Sequence, residues 1–299
     1  MAEFDPYTND EGVLINKFGI IDKTLLFKVE AEKAMLRLSE LYQNPIEGKY
    51  DFVHLSKIHK YIFGDVYSWA GETRNCDIAK FDLYCKPQYF ESYSEPFFEN
   101  LRKENYFRGL SQDDFCNKAT VLMGNLYSTH FFREGNTRSL CEYMRELAQD
   151  AGYELNFGKI PYEQLRDSCF SSVRGNLELL HKSIGQCLGP LDDAIKFKRE
   201  KINMIKSYRD WDSIKPTTST EYIYQAQQII KEYNRWPGEE ADRRIAKILA
   251  EQGRNTADIS RAIINNSPEI AYQSMSVAVD YVKDKLSNIK INNSLSMKF

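Results

Sequence analysis

The chain has 299 residues, enough to bury a sizeable core and to form one or two domains. At 42% hydrophobic and 28% charged residues it has the composition of a globular protein, and a net charge of −3 gives no global pull toward nucleic acid or membrane. No apolar run approaches the roughly 20 residues of a membrane helix, the N-terminus lacks the basic and apolar regions of a secretory signal, and the six cysteines form no Cys-x-x-Cys pair, so free thiols in the cytoplasm are expected.

The elements read as mostly helical, and the expected fold class is all-α. Asp22 caps a helix whose apolar positions are Phe27, Ala31, Ala34, Leu38 and Leu41, and Asn44-Pro45 closes it. A second helix carries Leu55, Ile58, Ile62 and Phe63. Between Cys76 and Cys85 the strand formers Ile78, Phe81, Leu83 and Tyr84 indicate a short hairpin with Lys80 and Phe81 near its tip. Pro87 opens a third helix that includes Phe97 and Leu101. Ser111, with a carboxylate three residues on, starts a helix through Phe115, Ala119, Leu122, Met123 and Leu126. After a polar loop, Leu140, Tyr143, Met144, Leu147 and Ala148 mark the next helix, which begins near Asn136 and ends at Gly152. Further helical stretches are expected over 162–173 and 177–205, the latter broken near Gly185 and Gly189-Pro190.

The texture turns polar around 213–220. A boundary between about 190 and 220 divides the chain into a region 1–195 and a smaller helical module 196–299. In that module helices are expected over 222–233, 241–249 and from Asn255 to Ile264, with a turn at Trp236-Pro237-Gly238. Two short helices around Gly253 have helix-turn-helix spacing. The basic residues nearby, Arg243, Arg244, Lys247, Arg254 and Arg261, are interleaved with Glu239, Glu240, Asp242, Glu251 and Asp258. That pattern favours an interaction module over a nucleic-acid reader.

The stretch His130-Phe131-Phe132-Arg133-Glu134-Gly135-Asn136-Thr137-Arg138 concentrates the chemistry at a junction of two helices. A helix starting at Asn136 exposes unpaired N–H groups and the positive end of its dipole, which suits a phosphate. Gly135 lets a ligand approach the backbone. Glu134 is a hard oxygen donor suited to Mg²⁺ carried on a nucleotide. Arg138 has the fork geometry for phosphate oxygens. His130 can take a proton from a hydroxyl near neutral pH. Phe132 has no chemistry and is expected to plug into the core.

This stretch resembles the signature of Fic-domain proteins, His-x-Phe-x-[Asp/Glu]-Gly-Asn-Gly-Arg-x-x-Arg. Two more segments are similar in the same way: Trp69-Ala70-Gly71-Glu72-Thr73-Arg74, which would precede the family's flap, and Asn16-Lys17-Phe18-Gly19-Ile20 near the N-terminus. The matches span roughly residues 14–190. The resemblance implies a Fic helical core with a β-hairpin flap. It implies transfer of AMP from Mg-ATP to a Tyr, Thr or Ser hydroxyl of a protein target, as in effectors or toxins of this kind. His130 would be the general base and Glu134 would hold Mg²⁺. Gly135, Asn136, Thr137 and Arg138 would bind the nucleotide, and Ile78, Ala79, Lys80 and Phe81 would form the flap that docks the target.

The chain departs from the signature twice. The second motif glycine is Thr137, which brings a Cβ and a hydroxyl beside the anion site. The second motif arginine is Cys141, with Arg145 one turn further on as a substitute. Two other readings therefore stand beside AMP transfer: a nucleotide-binding module without transfer, and transfer of another phosphate-containing group. The family's inhibitory [Ser/Thr]-x-x-x-Glu-[Gly/Asn] is missing, since every Glu-Gly and Glu-Asn lacks Ser or Thr four residues before the glutamate. A separate small antitoxin-like protein is the expected inhibitor, if inhibition occurs.

Overall fold

The computed structural model describes residues 5–80, 82–208, 217–270, 273, 275–287 and 289. The described chain separates into two compact units, residues 1–42 with 46–191 and residues 43–45 with 192–299.

In the first unit Asp22 accepts from the N–H of Leu25 at 2.7 Å and opens α1, Lys23–Gln43. Its buried stripe is Leu26, Glu30, Ala34 and Leu41. The expected stripe is off by one residue at its start, because Phe27 is 71% exposed. The reason is Glu30, a carboxylate at the position where an apolar residue would keep the pattern. Helix α2, Phe52–Phe63, is capped by the Asp51 side chain and buries Leu55, Ile58, Ile62 and Phe63 together with His54 and His59.

Strands β1, Ala79–Lys80, and β2, Asp82–Leu83, pair antiparallel with Ala79 opposite Leu83. This is the expected hairpin in its expected place. Phe81, named above for its tip, lies outside the described residues. A 3-10 turn at Pro87–Tyr89 leads into α3, Phe90–Lys103, which buries Phe98 rather than Phe97 as its deepest aromatic.

Helices α4, Gln112–Thr129, and α5, Asn136–Ala151, form the centre of this unit. The Ser111 hydroxyl caps α4 through the Asp114 N–H, and Gly152, at φ +95°, closes α5. Helix α4 packs against α3, α5, α6 (Tyr162–Val173) and α7 (Glu178–Cys187), and α2 packs against α5. Gly185 sits inside α7 without breaking it. The break comes at β4, Leu188–Pro190, which pairs antiparallel with β3, Tyr153–Leu155. Neither three-residue strand has a periodicity that sequence could show.

The second unit comprises α8, Asp193–Ser207, α9, Thr218–Tyr233, α10, Glu239–Glu251, α11, Thr256–Asn266, and α12, Met275–Leu286. Its core gathers Ile202, Ile205, Tyr222, Trp236, Ile245, Leu249, Ile259 and Ile263. Buried at its centre, Asp242 accepts hydroxyl hydrogens from Tyr222, Ser267 and Tyr281. Burial pushes the Asp242 carboxyl up to about 6. No helix among the described residues is long and apolar enough to cross a membrane.

Candidate active site

Helix α4 ends on His130, whose backbone turns left-handed at φ +51°. That reversal takes the chain out of the helix and into the loop that leads to α5. The His130 ring stacks on Tyr84 at 3.9 Å and meets Tyr127 edge-on at 5.5 Å. Tyr84 lies just past β2, so the flap side of the unit supplies one face of the imidazole's slot. The aromatic walls of Tyr84 and Tyr127 hold the plane of the His130 ring.

Phe131 and Phe132 are both buried, and fully burying a Phe side chain is worth roughly 2–3 kcal/mol. They anchor the loop as expected of Phe132. The Asn136 side chain closes it, accepting from Phe132 N–H at 2.9 Å and donating to Phe132 O at 2.6 Å. Asn136 is therefore a loop staple through its side chain, and only its backbone N–H faces the anion site.

Gly135 precedes α5 at φ +81°, and a Cβ there would come within 2.4 Å of the Phe63 ring. The first backbone bond of α5 runs from Ser139 N–H to Gly135 O, 3.1 Å. The N–H groups of Asn136, Thr137 and Arg138 thus lie ahead of the helical ladder, an anion pocket of the kind expected at this start. The Glu134 carboxylate accepts from Gly135 N–H at 2.9 Å and stands 3.7 Å from Arg138. It is 35% exposed, open enough to meet a ligand. Among the described residues no cluster of three or more metal-ligating side chains occurs. The Glu134 carboxylate beside these N–H groups is a hard oxygen donor of the kind that could hold a hard divalent cation.

Arg138 is held by two contacts that sequence did not show. Its Nη2 pairs with Glu30 at 2.5 Å, and its guanidinium lies 4.6 Å over the Phe63 ring. Glu30 is in turn bonded by the Tyr67 hydroxyl. The only sequence hint is a carboxylate interrupting the α1 stripe.

The Trp69–Arg74 segment braces the loop from the other side. Arg74 is buried and bonds the His130 carbonyl at 2.8 Å and the Cys76 carbonyl at 2.6 Å, with a further bond to Cys85 O at 2.5 Å. Its backbone N–H donates to Phe131 O at 2.8 Å. One guanidinium therefore ties the His130 backbone to both ends of the flap. His59, from α2, bridges Gly71 N–H at 2.8 Å and Glu134 O at 2.9 Å. Burial, with the Arg138 charge adding to it, pulls this imidazole down to about 4. Asn16 organises the N-terminal segment by bonding Leu14 O and Ile20 O and accepting from Phe18 and Ile20 N–H.

Of the expected flap residues, Ile78, Ala79 and Lys80 are among the described residues and Phe81 is not. Ile78 is half-buried before β1, and the backbones of Ala79 and Lys80 form that strand. The Tyr127 ring meets Tyr84 edge-on at 6.1 Å, and burial, with the Tyr84 and Thr137 hydroxyls acting on it, pushes the Tyr127 phenol well up. The extra hydroxyl of Thr137 therefore acts on the Tyr127 phenol beside His130. Cys141 is half-buried, and desolvation pushes its thiol well up beside Cys169 and Cys187. Arg145 does not replace the missing arginine: it is buried, paired with Glu142 at 2.5 Å and bonded to Leu41 O at 3.0 Å. Tyr162, exposed at the start of α6, lies within electrostatic reach of Glu134, Arg138 and Cys141.

The Fic/DOC family model matches residues 49–147, which span α2, the flap, α3, α4 and most of α5. The chain is 31% identical over 174 residues to the probable protein adenylyltransferase y4lH of Sinorhizobium fredii, covering 58% of this chain and 89% of that protein. The chain belongs to the Fic/DOC family. Protein adenylyltransferase VbhT of Bartonella schoenbuchensis is 40% identical over 181 residues, covering 59% of this chain but 37% of that longer relative. The solved structure of the effector BepC from Bartonella tribocorum, with bound AMPPNP, superposes with a TM-score of 0.58 at 22% identity. It covers 62% of this chain and 97% of that one, so this chain shares its Fic fold.

Proposed function

We propose that this Fic protein is an AMP transferase that modifies a hydroxyl of a protein target with ATP as donor. The observation that carries the reading is one loop: the His130 ring stacked on Tyr84, the Glu134 carboxylate, the N–H groups opening α5 and the Arg138 guanidinium follow one another within nine residues after the flap. His130 takes the proton of the target hydroxyl as its oxygen attacks the α-phosphorus. The bond from that phosphorus to the bridging oxygen breaks, and pyrophosphate leaves. The N–H groups of Asn136, Thr137 and Arg138 take up phosphate charge, and Arg138 forks onto the outer phosphates after sharing or leaving Glu30. Glu134 would hold Mg²⁺ on the nucleotide, where the ion neutralises phosphate charge. The flap backbone at Ile78–Lys80 presents an edge for an extended target segment.

The experiment is label transfer from α-phosphate-labelled ATP in candidate host lysate, comparing wild type with His130→Ala. A protein band that vanishes in the variant supports the reading. A variant band equal to wild type overturns it.

A second reading is favoured by α5 itself. Cys141 stands at the second arginine position and Arg145 is engaged elsewhere, so of the side chains at positions 138, 141 and 145 Arg138 is the guanidinium left for the triphosphate. Such a site suits a module that binds nucleotide without transfer, or a donor other than ATP. Cys141→Arg discriminates: a large gain in AMP transfer assigns the defect to triphosphate orientation, and no gain favours the second reading. Regulation is proposed to come from a separate small helical protein, since no Glu-Gly or Glu-Asn of the chain has the Ser or Thr of the family's inhibitory motif four residues before its glutamate. A stoichiometric complex of that kind that blocks transfer supports this, and full activity in its presence removes it.

A further inference from the structure

His59 is a buried imidazole with a bond at each ring nitrogen, and its two partners fix its chemistry. The Gly71 N–H can only donate, so Nδ1 carries the lone pair. The Glu134 carbonyl can only accept, so Nε2 carries the hydrogen. The ring lies 3.8 Å from Phe132 in a stacked arrangement and 4.9 Å from Phe63, so it cannot rotate to exchange these roles without unpacking the loop. Gly71 is itself pinned. Its carbonyl accepts from Ser56 at 2.6 Å, and at φ +90° a Cβ there would come within 2.9 Å of Lys60.

The consequence lies across one peptide plane. In a trans peptide the carbonyl and the following N–H point in opposite directions. Holding Glu134 O on His59 therefore aims Gly135 N–H the other way, to where the Glu134 carboxylate now sits at the mouth of the α5 anion pocket. We propose that His59 is a positioning residue for nucleotide binding: its Nε2–H fixes the Glu134–Gly135 peptide so that Gly135 N–H joins the donors at the start of α5. This rests on the proposed phosphate pocket. Neither His59 nor its bond is in the signature stretch; the residue belongs to a different helix, 75 positions before Glu134.

Substitutions that keep one bond at a time separate the two nitrogens. His59→Gln places an amide N–H near the Nε2 position and retains the bond to Glu134. His59→Asn places an acceptor near Nδ1 and retains the bond to Gly71. His59→Phe retains the stack and neither bond. ATP and adenosine affinities are measured by calorimetry for each, since only ATP uses the phosphate pocket. Loss of one charge-assisted bond weakens ATP about tenfold. The proposal expects that loss in His59→Asn and His59→Phe, near wild-type ATP affinity in His59→Gln, and adenosine affinity unchanged in all. Equal ATP affinity in all variants, equal loss of ATP and adenosine, or retention by Asn and loss by Gln would each overturn it. If His59→Phe does not fold, the Gln and Asn pair decides. Nitrogen NMR of the wild-type ring at neutral pH adds an independent readout: the Nε2–H tautomer is expected, and Nδ1–H overturns the proposal. A wild-type chain that binds no ATP would instead defeat the proposed function, and the tautomer then decides the geometry of His59 alone.

Discussion

Replacing Gly135 by alanine tests the junction on which the anion pocket depends. Two costs can be worked from the structure. The backbone sits at φ +81°, where an L-residue pays about 1–2 kcal/mol. The new Cβ would also meet Phe63 ring atoms at 2.4 and 2.6 Å, and Phe63 is buried in the core, so the overlap forces repacking at about 1–3 kcal/mol. Gly152→Ala supplies the control. It has φ +95° but nothing within 4 Å of the built Cβ, so it carries the backbone cost without the clash. Urea denaturation should place Gly135→Ala about 2–5 kcal/mol below wild type, and below Gly152→Ala by the clash. ATP affinity should fall in Gly135→Ala and hold in Gly152→Ala. Two glycine variants equal in stability would refute the packing argument, and a Gly135→Ala protein with intact ATP affinity would refute the placement of the pocket.

The remaining predictions concern other bonds. Glu30→Gln keeps the hydrogen-bonding shape beside Tyr67 and Arg138 but removes a negative charge next to Arg138, the proposed phosphate ligand. ATP should bind more tightly by about 1 kcal/mol at low salt, and weaker binding in calorimetry would show that the charge is needed to hold Arg138. Arg74→Lys retains a charge but loses the fork that bonds three carbonyls, so thermal or urea unfolding should show a loss of about 2–4 kcal/mol; an unchanged midpoint would remove Arg74 as the flap tether. Asp242 has a folded pKa raised from 3.8 to about 6, so the folded state binds more protons than the unfolded one between those values. Stability of the second unit should therefore fall by up to about 3 kcal/mol as pH rises through that window and stay lower above it. Asp242→Asn should abolish that slope, and a slope that persists in the variant would assign it to other groups.

What was legible in the sequence follows from how local each feature is. The loop, its flanking caps and the start of α5 are written in contiguous residues: Ser111 caps α4, Gly152 ends α5, and Gly135 marks the left-handed step between them. The flap was legible from its strand formers and its position after Trp69–Arg74. What was missed is held by bonds between distant elements. Glu30 disrupts the α1 stripe because its partner is Arg138, 108 positions away, and local periodicity placed Phe27 inward instead. His54 and His59 gave no spacing signal because each is paired separately, His54 with Glu146 at 2.9 Å and His59 with Gly71 and Glu134. Arg145 was a plausible stand-in on α5 by spacing alone, and Glu142 and the Leu41 carbonyl take it inward. Strands β3 and β4 are three residues each and owe their pairing to the helices that bring them together.

The most direct test of the central claim compares labels on the two ends of the triphosphate. Purified protein and host lysate are incubated with magnesium and ATP labelled at either the α- or the γ-phosphate, with His130→Ala alongside. The account predicts a target band that carries the α label, lacks the γ label and disappears in the variant. A band that carries the γ label, or an α-labelled band that survives loss of His130, would contradict it.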